Sequence, residues 1–242
     1  MEVVRGVHRL TRGVVNFYLL EAGGRLTMID AGAGGDWDVF SAGVAAIGRD
    51  VGDLEAVLVT HAHSDHTGIA EQARVAGARV WVHEADAAVA GGAKPGKNEA
   101  GLGRYLLKLE SYRTTWHLLR HRGARIIPIL ELSTFADGEI LDVPGRPRVL
   151  HVPGHTAGMS AVYAEDRRAL MTGDALVTRN PLTGHRGPQI MPSGLNSDSQ
   201  QALRSLDVLA AVPAQIVLPG HGEPWEGRAS EAARLARQRG VS

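Results

Sequence analysis

The sequence contains no cysteine among its 242 residues. This absence excludes disulfide frameworks, zinc sites with cysteine ligands, iron–sulfur clusters and cysteine nucleophiles. An excess of charge of either sign is also missing, because 26 lysine and arginine residues balance 26 aspartate and glutamate residues. A chain without net positive charge lacks the usual electrostatic footprint of a protein that binds nucleic acid or an acidic membrane. We therefore expect neither as a partner.

Long hydrophobic runs are absent as well. No window of the sequence approaches the ~18 uninterrupted apolar residues that a membrane-spanning helix requires. Residues 1–10 lack the apolar stretch of a secretory signal peptide. With 44% apolar and 21% charged residues, the composition is that of a globular protein. These features predict a soluble, cytoplasmic protein.

Strand-like and helix-like segments alternate along the chain. Two β-branched and aromatic runs, residues 14–21 and 25–30, flank a pair of glycines and predict a hairpin. Further short strands are predicted at 56–60, 79–83, 148–152, 160–164, 169–172 and 215–218. Helices are predicted at 37–47, 67–76, 99–121, from about 198, and at 229–239, whereas residues 84–98 show only a weak pattern. The alternation is typical of a layered α/β domain.

Four of the predicted strands end in residue types that bind metal ions. The strand at 56–60 runs directly into His61, His63, Asp65 and His66. In a tight loop, alternate residues can turn to the same side, so His61 and His63 can share one ion. Asp65 and His66 can then face a second ion beside the first. Neutral imidazole and carboxylate ligands suit zinc, iron and manganese.

The other three strand ends supply His155, Asp174 and His221. The two histidines can add one ligand to each ion, and the two oxygens of Asp174 allow it to bridge them. Seven ligands are enough for two divalent ions about 3.5–4 Å apart that share a hydroxide. Such a pair supplies a nucleophile at neutral pH without serine or cysteine.

The same residues carry a resemblance to a known family. From residue 14 to about residue 225, the chain resembles the metallo-β-lactamase-fold hydrolase superfamily. The hallmarks of that family stand here as Asn16, Asp30, Thr60–Gly68, Pro153–Thr156, Thr172–Asp174 and Pro219–Gly222. The resemblance implies an α/β fold of the αββα sandwich type, in which two packed mixed β-sheets are flanked by helices. One domain over residues 1–242, with a helical insertion at about 94–133, is expected.

The resemblance further implies two divalent metal ions, most suitably Zn²⁺, with iron or manganese as alternatives. The implied ligands are His61, His63 and His155 for the first ion, Asp65, His66 and His221 for the second, and Asp174 as the bridge. Asp30 and Thr60 are expected to contact ligand imidazoles, since these need a partner for their other nitrogen. Asp65 is also the candidate catalytic residue that orients the hydroxide or carries its proton.

Differences from known branches of this superfamily reduce the number of reactions to consider. An aspartate at the bridging position and the lack of cysteine disfavour a classical β-lactamase, whereas the ligand set resembles that of glyoxalase-II-like thioesterases and lactonases. The leading hypothesis is a hydrolase that acts on a small ester, lactone or thioester. Three alternatives stay open: a mononuclear iron dioxygenase of the persulfide type, a small-phosphodiester hydrolase, and a non-catalytic protein on the same scaffold.

Two segments are candidates for contacts with a small-molecule substrate. In the insertion, Tyr105, Tyr112 and Trp116 would give a helical lid an apolar wall; a plain cover helix or a homodimer contact is the alternative. His185 and Arg186 follow the bridging aspartate in a second variable segment. The guanidinium of Arg186 suits a substrate carboxylate or phosphate. A solvated loop arginine is the alternative.

Overall fold

The first sheet is built from the N-terminal half of the chain. The computed structural model describes residues 1–105 and 107–242. Seven strands lie in this sheet in chain order: β1 (Glu2–Val4), β2 (Val7–Arg12), β3 (Val15–Ala22), β4 (Arg25–Ile29), β5 (Leu54–Val59), β6 (Arg79–His83) and β7 (Ser133–Phe135). Strands β1 to β4 pair antiparallel, and β4 to β7 pair parallel, so the sheet is mixed.

The second sheet comes from the C-terminal half. Its strands are β8 (Arg148–His151), β9 (Ser160–Ala164), β10 (Ala169–Gly173), β13 (Ile216–Pro219) and β14 (Trp225–Glu226). They lie in the order β14-β13-β10-β9-β8, with β10 and β13 parallel and the other neighbours antiparallel. A separate hairpin is formed by β11 (Val177–Arg179) and β12 (Arg186–Gln189).

Six helices accompany the sheets in the described residues: α1 (Trp37–Ala46), α2 (Ala70–Val75), α3 (Glu84–Ala90), α4 (Leu109–Arg120), α5 (Ser199–Ala211) and α6 (Ala229–Arg239). None of them is long and apolar enough to cross a membrane. The α5 helix begins after Asp198, whose carboxylate accepts a hydrogen bond from the Gln201 N–H, as an N-cap does.

Side chains of alternate strand residues enter different layers of the core. In β4, Met28 packs against α1 and α2, whereas Ile29 faces the second sheet. Leu58 of β5 and Met171 of β10 belong to one buried cluster between the two sheets. Helices α5 and α6 cover the outer face of the second sheet. The layers are therefore helix, sheet, sheet, helix, and the predicted αββα sandwich is confirmed.

The segment before β7 differs from the sequence-based prediction. The long helix predicted at 99–121 is a short 3₁₀ turn, Leu102–Tyr105, followed by α4 from Leu109 to Arg120. Gly101 and Gly103 disfavour an α-helix in the first part of the segment. Residues 84–98, where the pattern is weak, contain α3; its alanine-rich sequence gives little hydrophobic periodicity.

Candidate metal centre

Strands from both sheets end at one edge of the sandwich. Four of them, β5, β8, β10 and β13, are followed by candidate ligands, namely His61, His63, Asp65 and His66, then His155, Asp174 and His221. Backbone hydrogen bonds tie these ends together. The Ser160 N–H donates to the Thr60 carbonyl across the two sheets at 2.9 Å, and the Gly220 N–H donates to the Gly173 carbonyl at 2.8 Å. Short loops on rigid strand ends therefore place the seven side chains.

The first group of ring nitrogens comes from His61, His63 and His155. Nδ1 of His63 lies 3.1 Å from Nε2 of His61 and 2.9 Å from Nε2 of His155. Nitrogen ligands of a tetrahedral ion with bonds of about 2.0–2.1 Å stand about 3.3–3.4 Å apart. The spacing of the three atoms is close to that of a coordination shell.

The second group, Asp65, His66 and His221, lies beside the first. Oδ2 of Asp65 is 3.6 Å from Nε2 of His221 and 3.9 Å from Nε2 of His66. Both histidines are buried, and Asp65 is partly exposed. Three atoms converge here at a spacing that a single ion can span.

Asp174 stands between the two groups. Its Oδ2 atom lies 3.4 Å from Nε2 of His155 and 3.8 Å from Nε2 of His61. The same oxygen is 3.3 Å from Nε2 of His221, and Oδ1 is 3.5 Å from Nε2 of His66. One buried carboxylate therefore reaches both groups.

Two buried atoms at the centre lack a hydrogen-bond partner among the described residues: Nε2 of His66 and Oδ1 of Asp174. Buried polar atoms are nearly always paired, so such orphans require an explanation. A metal ion bound between imidazole and carboxylate would provide one. The donor set fits divalent zinc, iron or manganese.

Asp30 holds the imidazole of His66 in place, as the sequence predicted. Its Oδ2 atom accepts a hydrogen bond from Nδ1 of His66 at 2.8 Å, and Oδ1 accepts from the Thr60 N–H at 2.8 Å. The Thr60 hydroxyl lies 2.9 Å from Oδ2 of Asp30 and 3.0 Å from Nδ1 of His61. Asp30 has a φ of 59°, a conformation that is uncommon outside glycine. The hydrogen bonds thus compensate for backbone strain next to the centre.

Two further ring orientations, those of His155 and His221, depend on partners that the sequence analysis missed. Nδ1 of His155 lies 3.1 Å from Oδ1 of buried Asn196, and Nδ1 of His221 donates to the Val14 carbonyl at 2.7 Å. A proton fixed on Nδ1 leaves the Nε2 lone pair directed at the centre. No sequence motif surrounds Asn196. The carbonyl of Val14 belongs to the backbone, so the residue type does not indicate that it acts as an acceptor.

Glycine is required where the backbone touches the ligands. A Cβ on Gly220 would lie 2.5 Å from Oδ1 of Asp174 and 2.7 Å from Cε1 of His66. At Gly173, with φ of 47°, a Cβ would meet the Thr60 hydroxyl at 2.4 Å. Gly220 therefore makes room for two candidate ligand side chains, and Gly173 makes room for the hydroxyl of Thr60.

Asp86, near the start of α3, joins the loops that carry the first group. Its buried carboxylate accepts hydrogen bonds from the Ala62 N–H at 3.0 Å and the Gly158 N–H at 2.7 Å. The Thr156 hydroxyl donates a third at 2.8 Å. Ala62 separates His61 from His63, and Thr156 follows His155. The sequence analysis did not identify Asp86, because it lies in the weakly patterned segment 84–98.

The pKa values of the histidines differ between the two ligand groups. Burial lowers the pKa of His61 and His63, and it lowers the pKa of His155 to about 3. Neighbouring imidazoles lower the pKa of His61 and His155 further, because a second positive charge would repel the first. The first group is therefore neutral at pH 7, the form that binds metal.

In the second group, nearby carboxylates outweigh burial and raise the pKa of the histidines. Burial alone would lower the pKa of His66, but Asp174, Asp30 and Asp65 outweigh it and raise the pKa to about 10. Burial is likewise outweighed at His221, where Asp174 and Asp65 raise the pKa. Without an ion, His66 therefore carries a proton at pH 7 that a metal must displace.

We expect the two groups to bind zinc with different pH dependence. An ion at the first group meets neutral imidazoles, so its affinity should change little between pH 6 and 8. An ion at the second group displaces a proton from His66 at any pH below about 10, so its affinity should fall at least about tenfold for each unit by which the pH is lowered. Calorimetric titration of the metal-free protein with Zn²⁺, in buffers of different protonation enthalpy, counts the protons released. Equal release in both steps would contradict the assignment.

A cavity of about 900 Å³ opens over the centre. Its floor is formed by His63, Asp65, His155, Asp174 and His221. Helix α4 forms part of one wall through Thr114, Thr115 and Leu118. Helix α4 therefore contributes to the cavity wall through residues other than those that the sequence suggested, and its role as a lid stays a prediction.

The predicted aromatic contacts lie elsewhere. Tyr112 and Trp116 are 60% and 66% exposed and do not line the cavity, because they occupy the outward face of α4. The inward face is held by the Thr114 hydroxyl, which donates to the Pro181 carbonyl at 2.6 Å. Tyr105 is buried, and its hydroxyl donates to the Ser242 carbonyl. A homodimer contact through the outward face stays a prediction.

The predicted contacts after the bridging aspartate also lie away from the floor. Arg186 lines a smaller cavity of about 290 Å³ beside Arg179 and Trp225. His185 is exposed and lines neither this cavity nor the larger one. Arg186 does not line the cavity over the candidate ligands, and its anion-binding role stays a prediction.

Comparison with known proteins agrees with the geometry. A probable metallo-hydrolase of Bacillus subtilis, YflN, is 24% identical over 94% of this chain and 88% of its own. A hydroxyacylglutathione hydrolase of Cereibacter sphaeroides is 30% identical over 69% of this chain and 48% of its own. The human acyl-coenzyme A thioesterase MBLAC2 is 31% identical over 49% of this chain and 40% of its own. The chain thus spans about half the length of the hydroxyacylglutathione hydrolase. These names indicate hydrolase activity in general.

Solved structures share the fold. A metallo-beta-lactamase family protein of Thermus thermophilus superposes with a TM-score of 0.72 and 25% identity, over 98% of this chain and 80% of the other. The protein TTHA1623, solved in a di-iron-bound form, superposes with a TM-score of 0.65 and 26% identity, over 94% of this chain and 97% of the other. The family model of the metallo-beta-lactamase superfamily matches residues 10–221. The chain therefore belongs to the metallo-beta-lactamase superfamily.

Proposed function

We propose that the protein is a binuclear metal-dependent hydrolase that acts on a small ester, lactone or thioester, with a thioester favoured. The observation that carries the proposal is the arrangement of two ligand groups around one carboxylate, Asp174, at the floor of a large cavity. Two of the similar proteins are named for thioester substrates, hydroxyacylglutathione and acyl-coenzyme A.

The proposed ligands follow from the distances at the centre. One ion would be held by His61, His63 and His155, the other by Asp65, His66 and His221, with Asp174 contributing to both. Zinc suits this donor set best, with iron or manganese as alternatives. The di-iron-bound form of the similar protein TTHA1623 supports a site for two ions.

When bound, such ions polarise a substrate carbonyl oxygen and lower the pKa of a coordinated water towards 7. The protein supplies the surroundings. Leu118 and Leu182 line the cavity, so a bound substrate would displace water along this apolar part of the wall. Asp65 faces the same cavity, so its carboxylate can accept a proton there and pass it to the leaving group.

The alternatives differ in metal content or substrate. A mononuclear iron dioxygenase would leave Asp65, His66 and His221 without an ion, although Nε2 of His66 has no hydrogen-bond partner among the described residues. A small-phosphodiester hydrolase would use both ions. An assay panel of a lactone, an alkyl ester, an acyl thioester and a phosphodiester, run on protein loaded with two ions, separates these reactions. Thioester hydrolysis is the expected result, and turnover of the phosphodiester alone would contradict the proposal.

Replacing Asp65 by asparagine tests the proton-transfer role. Asparagine keeps an oxygen for an ion but cannot hold a proton, so kcat should fall by about 10²- to 10⁴-fold even in samples that carry two ions per chain. Exposed Asp142→Asn, in the loop before β8, is the matched control and should retain full activity. Full turnover of Asp65→Asn at full metal content would disprove the role.

A further inference from the structure

Two cations line the cavity that leads to the candidate metal centre. Lys94 and Arg125 both belong to its wall, and both are exposed to solvent, so they stand where the cavity opens. Neither makes a hydrogen bond or ion pair within the described part of the chain. The carboxylates among the described lining residues are Asp65 and Asp174, which belong to the centre itself. The charge at the opening therefore has no partner among the described residues.

The backbone brings these two cations to the same place. The Ile129 N–H donates to the Ala90 carbonyl at 3.0 Å, and a Cβ on Gly92 would lie 3.0 Å from Cγ of Pro128. The two segments thus run side by side in opposite directions. Lys94 and Arg125 lie on these two segments, and both line the cavity. Loops from two distant parts of the sequence meet here.

Most of the remaining wall is apolar, apart from Ser64, Asn98, Thr114 and Thr115. Its larger side chains are Leu102, Leu118, Ile126, Leu182, Met191 and Leu195. An apolar group of a substrate loses its water shell against such a wall, whereas a charged group does not bind there. One cavity therefore offers an apolar wall, a reactive floor and a cationic opening.

We infer that Lys94 and Arg125 form an anion-binding subsite, and that the substrate is a thioester of an apolar acyl chain with an anionic thiol. This inference rests on the proposed thioesterase function. The acyl chain lies against the apolar wall and the scissile carbonyl at the floor, while a carboxylate, sulfonate or phosphate of the thiol reaches the opening. Arginine presents a planar fork of donors to such oxyanions, and lysine adds a point charge. Hydrolysis adds water and releases a fatty acid and the anionic thiol.

The sequence suggests a natural control. All three lysines of the chain lie between positions 94 and 108. Lys97 is exposed, like Lys94, but does not line the cavity. Lys97→Met therefore removes the same charge from the same segment without touching the proposed subsite.

The test uses two thioesters with one acyl chain. S-octanoyl-3-mercaptopropanesulfonate carries an anion, and S-octanoyl-3-mercaptopropanol is neutral. Lys94→Met and Arg125→Met should each lower kcat/KM for the sulfonate roughly five- to tenfold, and the double variant about 30-fold or more. The neutral thioester should be hydrolysed as by the wild-type enzyme, and Lys97→Met should behave as wild type with both. The preference should weaken as ionic strength rises.

A binding measurement separates this inference from the proposed reaction. The corresponding S-octyl thioether sulfonate cannot be hydrolysed, and its Kd is measured by calorimetry. A Kd raised about 30-fold in the double variant supports the anion subsite even if the wild-type protein hydrolyses neither thioester; in that case the proposed thioesterase reaction fails and the subsite stands. An unchanged Kd, or an equal loss of kcat/KM for both thioesters, would overturn the inference.

Discussion

Replacement of Asp174 by asparagine is expected to lower kcat/KM by more than about 10³-fold. The carboxylate lies within 3.8 Å of ring nitrogens from both ligand groups, so both proposed ions would depend on it. Burial by itself would raise its pKa, but His221 and His66 outweigh burial and hold the pKa of Asp174 well below its usual value. It is therefore a full negative charge, which asparagine lacks. Elemental analysis of the purified variant should find fewer ions per chain than in the wild type.

The comparison for this variant is Asp166→Asn. Asp166 is exposed in the turn between β9 and β10, remote from the candidate ligands. It should leave both turnover and metal content unchanged. An Asp174→Asn protein that retained the wild-type metal content and turnover would refute the shared role of this carboxylate.

Replacement of Asp86 by alanine is expected to lower the free energy of unfolding by about 3–5 kcal/mol, because it leaves two buried backbone N–H groups without an acceptor. Those donors, on Ala62 and Gly158, lie in the loops that carry the first ligand group. The loss should therefore also weaken the binding of the first ion. Urea unfolding of the metal-free protein gives the first quantity, and zinc titration gives the second.

A milder variant keeps this prediction testable if Asp86→Ala does not fold. Thr156→Val removes only the hydroxyl contact to Asp86 and should cost about 1 kcal/mol. Glu84→Ala, at the exposed first position of the same helix, is the control and should change stability by less than about 0.5 kcal/mol. Stability and zinc affinity of Asp86→Ala equal to those of Glu84→Ala would show that the carboxylate does not position the loops.

The candidate centre could be predicted from the sequence because its residues sit where the pattern changes abruptly. The apolar run of β5 stops at Thr60, and the His61–His66 segment follows at once. The same change occurs before His155 and His221. An apolar run that ends in glycine and a polar residue indicates where a buried strand lies and which of its ends carries functional residues. The αββα layers followed from the same alternation together with the family resemblance.

The contacts that the sequence did not reveal join residues that lie far apart along the chain. Asn196 and Asp86 lie far along the chain from the loops that they hold, and neither carries a motif. Helix α4 has apolar residues on two faces, so periodicity alone could not show that Leu118 faces the cavity and Trp116 the solvent. The proposed anion subsite arises where two loops meet, which no local pattern records.

The measurement that tests the central claim most directly is the metal content of the protein. Purified without chelator or added metal, the wild-type chain should carry about two divalent ions by elemental analysis normalised to protein concentration. His66→Ala should lower that number, because it removes a ligand of the second group. About one iron per chain, with no second ion after supplementation, would contradict the binuclear account and favour the dioxygenase. No bound metal under any condition would contradict metal-dependent hydrolysis altogether.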